Sequence, residues 1–477
     1  MDPLNAEHRR VLDRANASVA AAADRAATDP SRPVYHLTSP AHWINDPNGP
    51  VHYDGEYHLF YQHNPFASEW GNMSWGHAVS EDLVYWEHLP VALAPVPGSY
   101  DKDGVFSGCC VIHEGVPTIL YTGVSPECQC IATSADRLRT WIKDPGNPVI
   151  SSRPRGDLEG FRDPFCWRER ESWYMALGSQ IRGEGGCVLL YRSADLRKWT
   201  YLGPLFQGTT DMMECPNFFP LGDRWLLCVS PYAQVIYAVG DFTDHRFRPE
   251  TGWLPMDLGR REDFYAPNSM LDPQGRRIQW GWVQVGPPGG CWRGVLTLPR
   301  VLSLRTDGHL GIEPLPELAR LRRRHERWES VLLANDASLV LAGFPSDTVE
   351  IRAEFEIESA REVGLTLAHG SRVRRQMEVA YDHEAGRLSC AQRVGKFRLL
   401  PGEDRLQLRI FLDRSVVEVY ANGRVALTAG GDYLGVGEGT PRREGEGALT
   451  LFSRGGQARA SALDVWEMAS IWDARTA

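Results

Sequence analysis

Residues 80–86, SEDLVYW, are the first copy of a motif that recurs along the chain. Related segments are SADRLRTW at 134–141, SADLRKW at 193–199 and a looser one, FTDHRFRPETGW, at 242–253. The tryptophans that end these segments are 55, 58 and 54 residues apart. A period of this length, with about four short strands per unit, is typical of a β-propeller blade, whereas a β-helix needs a much shorter one. Because five such units fit between Tyr35 and Leu318, the sequence predicts a five-bladed β-propeller.

The segments on either side of the repeat region predict two further parts. Residues 2–28 form one helical pattern, with Asp2 as its N-cap and DPSRP as its stop. The apolar side of this helix is expected to pack on the propeller of the same chain. The alternative is that it packs on a second copy of the chain, in a homo-oligomer. That side is formed by Leu4, Val11, Ala15 and Val19.

A charged, partly helical segment at 314–328 interrupts the strand pattern and is predicted to be a linker. Beyond it, VEIRAEFEIE alternates apolar and polar residues, and LRIFLDRSVVEVYANG ends on Asn422-Gly423, a favoured hairpin turn. This part is predicted to be a β-sandwich. The fold class is therefore all-β, with a helical extension at 1–31, a propeller at 32–318 and a linker with a sandwich at 319–477.

Composition excludes several classes of protein. The 61 acidic residues outnumber the 51 basic ones, which argues against a nucleic-acid or anionic-membrane partner. No apolar run reaches the roughly 18 residues of a membrane span, and the Ala-rich ASVAAAAD is a poor signal-peptide core, so a cytoplasmic protein is expected. The ten cysteines lack zinc-ligand spacing and predict free thiols. DKDG at 101–104 resembles the start of a calcium loop but lacks the later acidic ligands, so no metal site is predicted.

Three carboxylates stand in unusual settings. Asp46 lies in WINDPNGP, Asp163 in EGFRDPFCW and Glu214 in DMMECPNFF, each followed by a proline directly or after Cys215. Taken singly, each is most simply a solvated turn. Taken together, they fall in separate repeat units, whose innermost strands line the central channel of a propeller and can bring the acids together.

Converging carboxylates with aromatic neighbours suggest glycoside hydrolysis. One acid must protonate the leaving oxygen, and another must stay ionised to attack the anomeric carbon. Sugar rings stack on indoles, and their hydroxyl groups need fixed polar partners. The motifs contain indoles, at Trp43, Trp70 and Trp75, and polar side chains, at Asn45, Gln62 and Arg162.

These motifs have a family resemblance. WINDPNG, FRDP and ECP, in this order, resemble the signature motifs of glycoside hydrolase family 32, which contains invertases, inulinases, levanases and fructan exohydrolases. FYQHNP, FSG, DFYAP and WGW also match, and LRIFLDRSVVEVYANG resembles the sandwich signature of the family. The resemblance covers residues 32–466. It implies a five-bladed propeller with a C-terminal β-sandwich, in agreement with the repeat.

The resemblance implies a role for each acid. Asp46 would be the nucleophile that forms a covalent fructosyl intermediate, Glu214 the general acid and then base, and Asp163 the stabiliser of the transition state. Retaining chemistry implies that the carboxyl groups of Asp46 and Glu214 are roughly 5 Å apart. No cofactor is implied. The residues expected around the fructosyl unit are Asn45, Gln62, Trp70, Phe106, Ser107, Arg162, Tyr265 and Trp282.

The expected activity is the release of terminal β-fructofuranosyl residues from sucrose or short fructo-oligosaccharides. Alternatives are a fructosyltransferase that uses the same intermediate and a non-catalytic sugar-binding protein. The chain departs from the family pattern at Ser74 and at Pro267-Asn268, which are expected near the cleft rim and leave the leaving group open. No group of Lys or Arg surrounds the motifs, so a phosphorylated sucrose is not favoured.

Other side chains near the motifs have structural readings. Cys215 is expected to be buried and unreactive, because a reactive thiolate needs cationic partners. His77 is expected to be structural. Trp43 and Trp75 suit either sugar binding or packing between blades.

Overall fold

The computed structural model describes residues 3–341, 346–369, 375–431 and 449–473. The chain is mostly β, with one long helix, α1 (Pro3–Ala27), and a short 3₁₀ helix at Pro316–Leu321. Asp2, the predicted N-cap, lies outside the described residues. Among the described residues, no helix has the length and apolar character needed to cross a membrane. The cytoplasmic location stays a prediction.

Helix α1 packs on its own chain, as expected. Its buried side includes Val11, Ala15 and Val19, whereas Leu4 is only half-buried. The ring of His8 accepts the backbone N–H of Ala94 through Nε2 at 3.1 Å, in the segment that follows the first sheet. Asn16 likewise accepts the backbone N–H of Val91 at 2.9 Å, so polar side chains of the helix satisfy backbone groups beneath it.

Five antiparallel sheets follow, each built mainly from strands adjacent in sequence. The first contains β1 (His42–Tyr53), β2 (Glu56–Asn64), β3 (Ser74–Ser80) and β4 (Glu87–Leu93). The second contains β5 (Gly104–His113), β6 (Val116–Val124), β7 (Cys128–Thr133) and β8 (Ile142–Lys143). The third contains β9 (Leu158–Glu169), β10 (Ser172–Ile181), β11 (Gly185–Ser193) and β12 (Thr200–Gln207).

The fourth and fifth sheets carry short extra strands. The fourth contains β13 (Glu214–Leu221), β14 (Arg224–Ser230), β15 (Ile236–Thr243), β16 (Arg246–Pro249) and β17 (Leu254–Pro255). The fifth contains β18 (Tyr265–Leu271), β19 (Arg277–Val283), β21 (Val295–Leu296), β22 (Arg300–Leu304) and β23 (Leu310–Pro314). Strand β20 (Trp292–Arg293) instead joins the first sheet, parallel to β1.

The sequence repeat forms the corner between the third and fourth strands of a sheet. In its first copy, the hydroxyl of Ser80 donates to Asp82 at 3.2 Å, and Trp86 donates through Nε1 to the carbonyl of Leu83 at 3.3 Å. Leu83 is buried with a left-handed φ of 64°. The next two copies repeat the Ser to Asp hydrogen bond, at Ser134–Asp136 and Ser193–Asp195. The motif recurs because the first three sheets share this corner.

The first strands of the five sheets contact one another in a closed ring. Strand β1 contacts β5 and β18, β9 lies between β5 and β13, and β13 contacts β18. Each of these five strands has a register shift, or bulge, in its pairing with the next strand of its own sheet. Such bulges redirect a side chain out of the regular pleat. The residues at the five bulges are Asp46, Ser107, Asp163, Cys215 and Ala266.

Residues after the fifth sheet form two six-stranded antiparallel sheets that share one hydrophobic core. One runs in the order β24 (Arg322–Leu333), β35 (Ala458–Met468), β26 (Thr348–Glu356), β31 (Arg405–Asp413), β32 (Val416–Ala421), β33 (Val425–Gly430). The other runs in the order β25 (Ser338–Leu341), β34 (Leu449–Arg454), β27 (Glu362–His369), β28 (Arg375–Asp382), β29 (Arg387–Cys390), β30 (Arg393–Lys396).

One expectation for this part is confirmed and another is wrong. Asn422 and Gly423 have φ of 47° and 61° and form the predicted hairpin turn between β32 and β33. The predicted linker at 314–328 is largely an edge strand, because β24 pairs with β35 along its length. Its charged side chains do not prevent this: Arg322 pairs with buried Glu350 at 2.7 Å and stacks on Trp466.

The segment LRIFLDRSVVEVYANG joins the two halves of the chain. Asp413 accepts the backbone N–H groups of residues 34–36 at 2.7 to 2.9 Å. Glu418 accepts from Arg300 at 2.7 Å and from the backbone of Leu298 at 2.7 Å. Burial opposes ionisation of Glu418, but Arg300 and His36 lower its pKa to about 2. The segment is therefore a polar junction with the five-sheet part.

Replacing Glu418 with Gln should lower the free energy of unfolding by about 3 kcal/mol or more. The change leaves Arg300 and His36 buried with one carboxylate fewer, and breaking a buried ion pair is costly. Urea unfolding measures the effect. The matched control is Glu467→Gln, an exposed position of β35. Equal stability of the two variants would contradict the role of this junction.

Candidate active site

The three acids predicted from the sequence share one site. Asp46 lies at the bulge of β1, Asp163 at the bulge of β9, and Glu214 is the first residue of β13. The thiol of Cys215 lies 3.6 Å from Oδ2 of Asp46 and 3.5 Å from Oδ2 of Asp163. Arg162 contacts Glu214 at 3.1 Å. Three different sheets thus contribute one carboxylate each to one end of the ring.

Asp46 is fixed by a donor on each oxygen. The hydroxyl of Ser107 donates to Oδ2 at 2.6 Å, and Nδ2 of Asn45 donates to Oδ1 at 2.9 Å. Asn45 is held in turn by Trp43, which donates through Nε1 to its Oδ1 at 2.7 Å. Burial raises the pKa of Asp46, and these hydrogen bonds oppose the rise. The carboxylate is therefore oriented while it remains ready to ionise.

Asp163 is the most strongly perturbed acid of the three. Its φ of 62° is left-handed, and its Oδ2 accepts the backbone N–H of Cys215 at 3.0 Å. Burial and the charge of Glu214 raise the pKa of Asp163 to about 8. Burial also raises the pKa of the Cys215 thiol well above its usual value, which agrees with the unreactive role expected for it. Cys215 lies between Asp46 and Asp163, where its neutral thiol separates two carboxylates.

Glu214 lies between a cation and a phenol. Nη1 of Arg162 donates to its Oε1 at 3.1 Å, and the hydroxyl of Tyr265 lies 2.9 Å from its Oε2. Arg162 is held from behind by Glu127, whose Oε1 is 2.7 Å from Nη2. Burial and the charge of Asp46 raise the pKa of Glu214, whereas Arg162 lowers it. Glu214 thus sits in surroundings that suit a group which both gives and takes a proton.

The Asp163→Asn variant should be more stable than the wild type at pH 8, by about 1 kcal/mol or more. An unfolded aspartate loses its proton near pH 4. The folded pKa is about 8, so the folded wild type binds more protons than the unfolded chain between these values and loses stability as pH rises. Asn does not titrate and can still accept the N–H of Cys215.

Urea unfolding at pH 4.5 and pH 8 tests this expectation. The control is Asp223→Asn, an exposed carboxylate in the turn between β13 and β14. A stability difference for Asp163→Asn that is the same at both pH values would show that the folded pKa is not raised.

The predicted aromatic and amide residues have different surroundings. Trp70 is 61% exposed, with its ring centre 6.1 Å from that of Phe106. Trp282 is buried 5.6 Å from the ring of Trp43. Gln62 is buried and donates to the carbonyl of Val105 at 3.0 Å.

Two roles, sugar binding and packing between blades, were open for Trp43 and Trp75. The structure decides between them for Trp75 alone. Trp75 is fully buried and donates to the carbonyl of Phe106 at 3.1 Å, so it is structural. Trp43 touches the acid site through Asn45. His77 is buried, with Nε2 3.0 Å from Nδ1 of His58, in keeping with the structural role expected for it.

The two departures from the family pattern do not lie at the rim, contrary to expectation. Ser74 is 1% exposed and donates to the carbonyl of Asn72 at 3.1 Å. Asn268 is buried within the ring and donates to the carbonyl of Gly108 at 3.0 Å, while the carbonyl of Pro267 accepts from Asn217 at 2.8 Å. The inner strands converge, so residues just past each bulge become packing inside the ring.

The DKDG segment is an ion-pair site. Buried Asp101 accepts from Tyr121 at 3.0 Å and pairs with buried Lys143. Among the described residues, no group of three or more His, Cys, Asp or Glu could hold a metal ion. All ten cysteines are free thiols, as predicted.

Sequence reasoning missed several neighbours of the site. Glu127 and Tyr232 reach it from loops without a motif, and Tyr232 donates its backbone N–H to the hydroxyl of Tyr265 at 3.1 Å. Two cations also stack on its aromatic residues: Arg261 lies 4.9 Å from the ring centre of Tyr265, and Arg293 lies 5.5 Å from that of Trp43.

One further pattern in the sequence marks some of the inner strands. The pair Pro-Asn occurs at 47–48, 216–217 and 267–268, each time directly after a bulge residue. It marks the inner strands of the first, fourth and fifth sheets.

Comparisons with known proteins identify the family of the chain. The model of the glycosyl hydrolases family 32 N-terminal domain matches residues 36–314, and that of the family 32 C-terminal domain matches residues 317–467. The chain is 35% identical to a sucrose-6-phosphate hydrolase of Escherichia coli, over 91% of this chain and 94% of that protein. It is 34% identical to a levanase of Bacillus subtilis, over 92% of this chain and 71% of that protein.

A solved structure is similar over almost the whole length. A variant of the family 32 beta-fructofuranosidase of Bombyx mori, in complex with sucrose, has a TM-score of 0.79 at 28% identity. The match covers 98% of this chain and 99% of that one. The two family models together span most of the chain, so the protein belongs to glycosyl hydrolase family 32.

Proposed function

We propose that the protein is a retaining glycoside hydrolase that releases terminal β-fructofuranosyl residues from sucrose or short fructo-oligosaccharides. The observation that carries this proposal is the meeting of Asp46, Asp163 and Glu214 at one end of the ring, each with different neighbours. Asp46 is oriented by neutral donors, and Glu214 lies between Arg162 and Tyr265. The first arrangement suits a nucleophile, and the second suits a proton donor.

In the first step the carboxylate of Asp46 attacks the anomeric carbon of the fructosyl unit, and Glu214 protonates the departing oxygen. The bond to the leaving group breaks as a covalent fructosyl ester of Asp46 forms. In the second step Glu214 takes a proton from water, whose oxygen attacks the same carbon and frees Asp46. This sequence calls for carboxyl groups of Asp46 and Glu214 roughly 5 Å apart.

Asp163 and Arg162 support both steps. The two residues are adjacent on β9, with Asp163 against Cys215 and Arg162 against Glu214. We assign to Asp163 the binding of fructose hydroxyl groups in the transition state. The remaining members of the proposed sugar site are Asn45, Gln62, Trp70, Phe106, Ser107, Tyr265 and Trp282.

We interpret the architecture as a five-bladed β-propeller at 32–318 followed by a β-sandwich at 319–477, with a helical extension at 1–31. The ring of contacts among the first strands of the five sheets supports the propeller, and the shared core of the two six-stranded sheets supports the sandwich. In this arrangement the acids lie at one mouth of the central channel.

A phosphorylated sucrose is a second candidate substrate. The sequence shows no group of cations near the motifs, but the fold brings Arg261 and Arg293 onto the rings of Tyr265 and Trp43. Tyr265 touches Glu214, which protonates the leaving group, so Arg261 in particular lies on the leaving-group side. Guanidinium groups are well suited to phosphate.

A substrate panel tests the proposed function. Sucrose, sucrose 6-phosphate, kestose, inulin and levan are incubated with the protein, and free fructose is measured against the other product. Equal amounts of fructose and glucose from sucrose are expected for a hydrolase. A deficit of fructose together with new oligosaccharides would favour the fructosyltransferase alternative, and no turnover of any member would contradict the proposal.

A further inference from the structure

The central ring has a second cavity, beyond the acids. The five inner strands run on from the bulges, and residues two to six positions further along them line a cavity of about 250 Å³. We call it the far-end cavity, lined among others by Val51, Cys109, Trp167, Phe219 and Arg277. Between it and the acids, residues directly after the bulges leave a space of only about 10 Å³. A space of that size holds about one water molecule, so the two sites are separate.

Arg277 is the charged residue in the wall of this cavity. Its guanidinium carbon lies 4.2 Å from the ring centre of Phe219. Its Nε is buried without a hydrogen-bond partner among the described residues. Burial lowers the pKa of Arg277 to about 10, so the group stays charged at neutral pH. The side chain as a whole is half-buried, and a cation held partly away from water without a counter-charge is costly.

Arg276, directly before Arg277 in the sequence, does have carboxylate partners. Arg276 pairs with Asp272 at 2.7 Å and with Glu317 at 2.8 Å. The wall of the far-end cavity has no carboxylate among its lining residues, and it offers a second buried donor without a described partner, Nε1 of Trp167. Donors without acceptors, next to one positive charge, call for an anion.

We propose that the far-end cavity binds a small monocarboxylate that carries an apolar body. One guanidinium matches the charge and the two oxygens of one carboxylate. The aromatic rings of Phe165, Trp167 and Phe219 and the side chain of Met270 form apolar walls for the rest of the ligand. A volume of about 250 Å³ exceeds that of a single-ring acid such as benzoate. This site goes beyond the proposed hydrolase activity, which it does not require.

Titration calorimetry on the full chain tests the proposal with three probes. Benzoate should bind, and benzamide, which has the same shape without the charge, should bind at least about tenfold more weakly. Inorganic phosphate, which has charge without an apolar body, should also bind at least about tenfold more weakly. No heat with benzoate, or binding of benzamide or of phosphate as tight as that of benzoate, would overturn the proposal.

Variants locate the binding. Arg277→Gln should weaken the binding of benzoate by about tenfold or more. Arg277→Lys keeps the charge but loses the paired N–H donors of the guanidinium group, so its affinity for benzoate should lie between those of Arg277→Gln and the wild type. Arg192→Gln removes an exposed charge from β11 and should change nothing. Sucrose turnover should be the same in all three variants. Unchanged benzoate affinity in Arg277→Gln, or displacement of benzoate by fructose, would overturn the assignment to this cavity.

Discussion

Asp46→Ala should lower the turnover of sucrose by about four orders of magnitude or more, with folding intact. The variant loses the atom that attacks the anomeric carbon, and none of the remaining donors around it can replace a nucleophile. Asn45 keeps its hydrogen bond from Trp43, and alanine brings no buried polar group into the site, so the fold should tolerate the change. Initial rates on sucrose measure the effect.

Two controls make this result specific. Asp223→Asn removes an exposed carboxylate from the fourth sheet and should keep full activity. Thermal unfolding of the Asp46→Ala protein should resemble that of the wild type, because loss of a buried carboxylate with a raised pKa removes a cost of burial. Substantial hydrolysis by a folded Asp46→Ala protein would refute the assignment of the nucleophile.

Glu214→Gln should reduce sucrose turnover by about 10² to 10⁴-fold and turnover of an activated aryl fructoside much less. Gln keeps the contacts with Arg162 and Tyr265 but has no proton to give. A good leaving group departs without protonation, so the first step survives with the aryl substrate. Steady-state kinetics on the two substrates give the ratio.

The comparison variant is Glu127→Gln. Glu127 holds Arg162 and does not reach the departing oxygen in the proposed roles, so its loss should lower both activities by a similar factor. Glu214→Gln and Glu127→Gln should therefore differ in the ratio of the two rates. Equal losses on sucrose and the aryl fructoside in Glu214→Gln would count against the role of Glu214 as the acid.

The sequence predicts the fold through features that are local. The Ser-Asp-Leu-Trp corner repeats because the first three sheets make the same hydrogen bond at the same place, and Asn422-Gly423 forms its turn because both residues accept a left-handed φ. The linker prediction was wrong because charge alone does not exclude a strand when Arg322 finds Glu350 across the sheet. Edge-strand pairing depends on a partner far along the chain.

The candidate site likewise contains residues that the sequence predicts and residues that it does not. Asp46, Asp163 and Glu214 stand in recognisable local motifs, each followed by a proline directly or after Cys215. Glu127, Arg261 and Arg293 carry no such mark, because each is defined by a contact made between segments distant in sequence. Their charges could be counted from the sequence, but their positions required the closed ring of sheets.

The central claim is that a fructosyl unit is carried on Asp46. Mass spectrometry of a Glu214→Ala protein mixed with an activated fructosyl donor tests it most directly, because the variant should form the ester with a good leaving group and hydrolyse it slowly. We expect the mass of one fructosyl unit to be added, and peptide mapping should place it on Asp46. An adduct on another residue, or turnover of the donor with no adduct on the protein, would contradict the account.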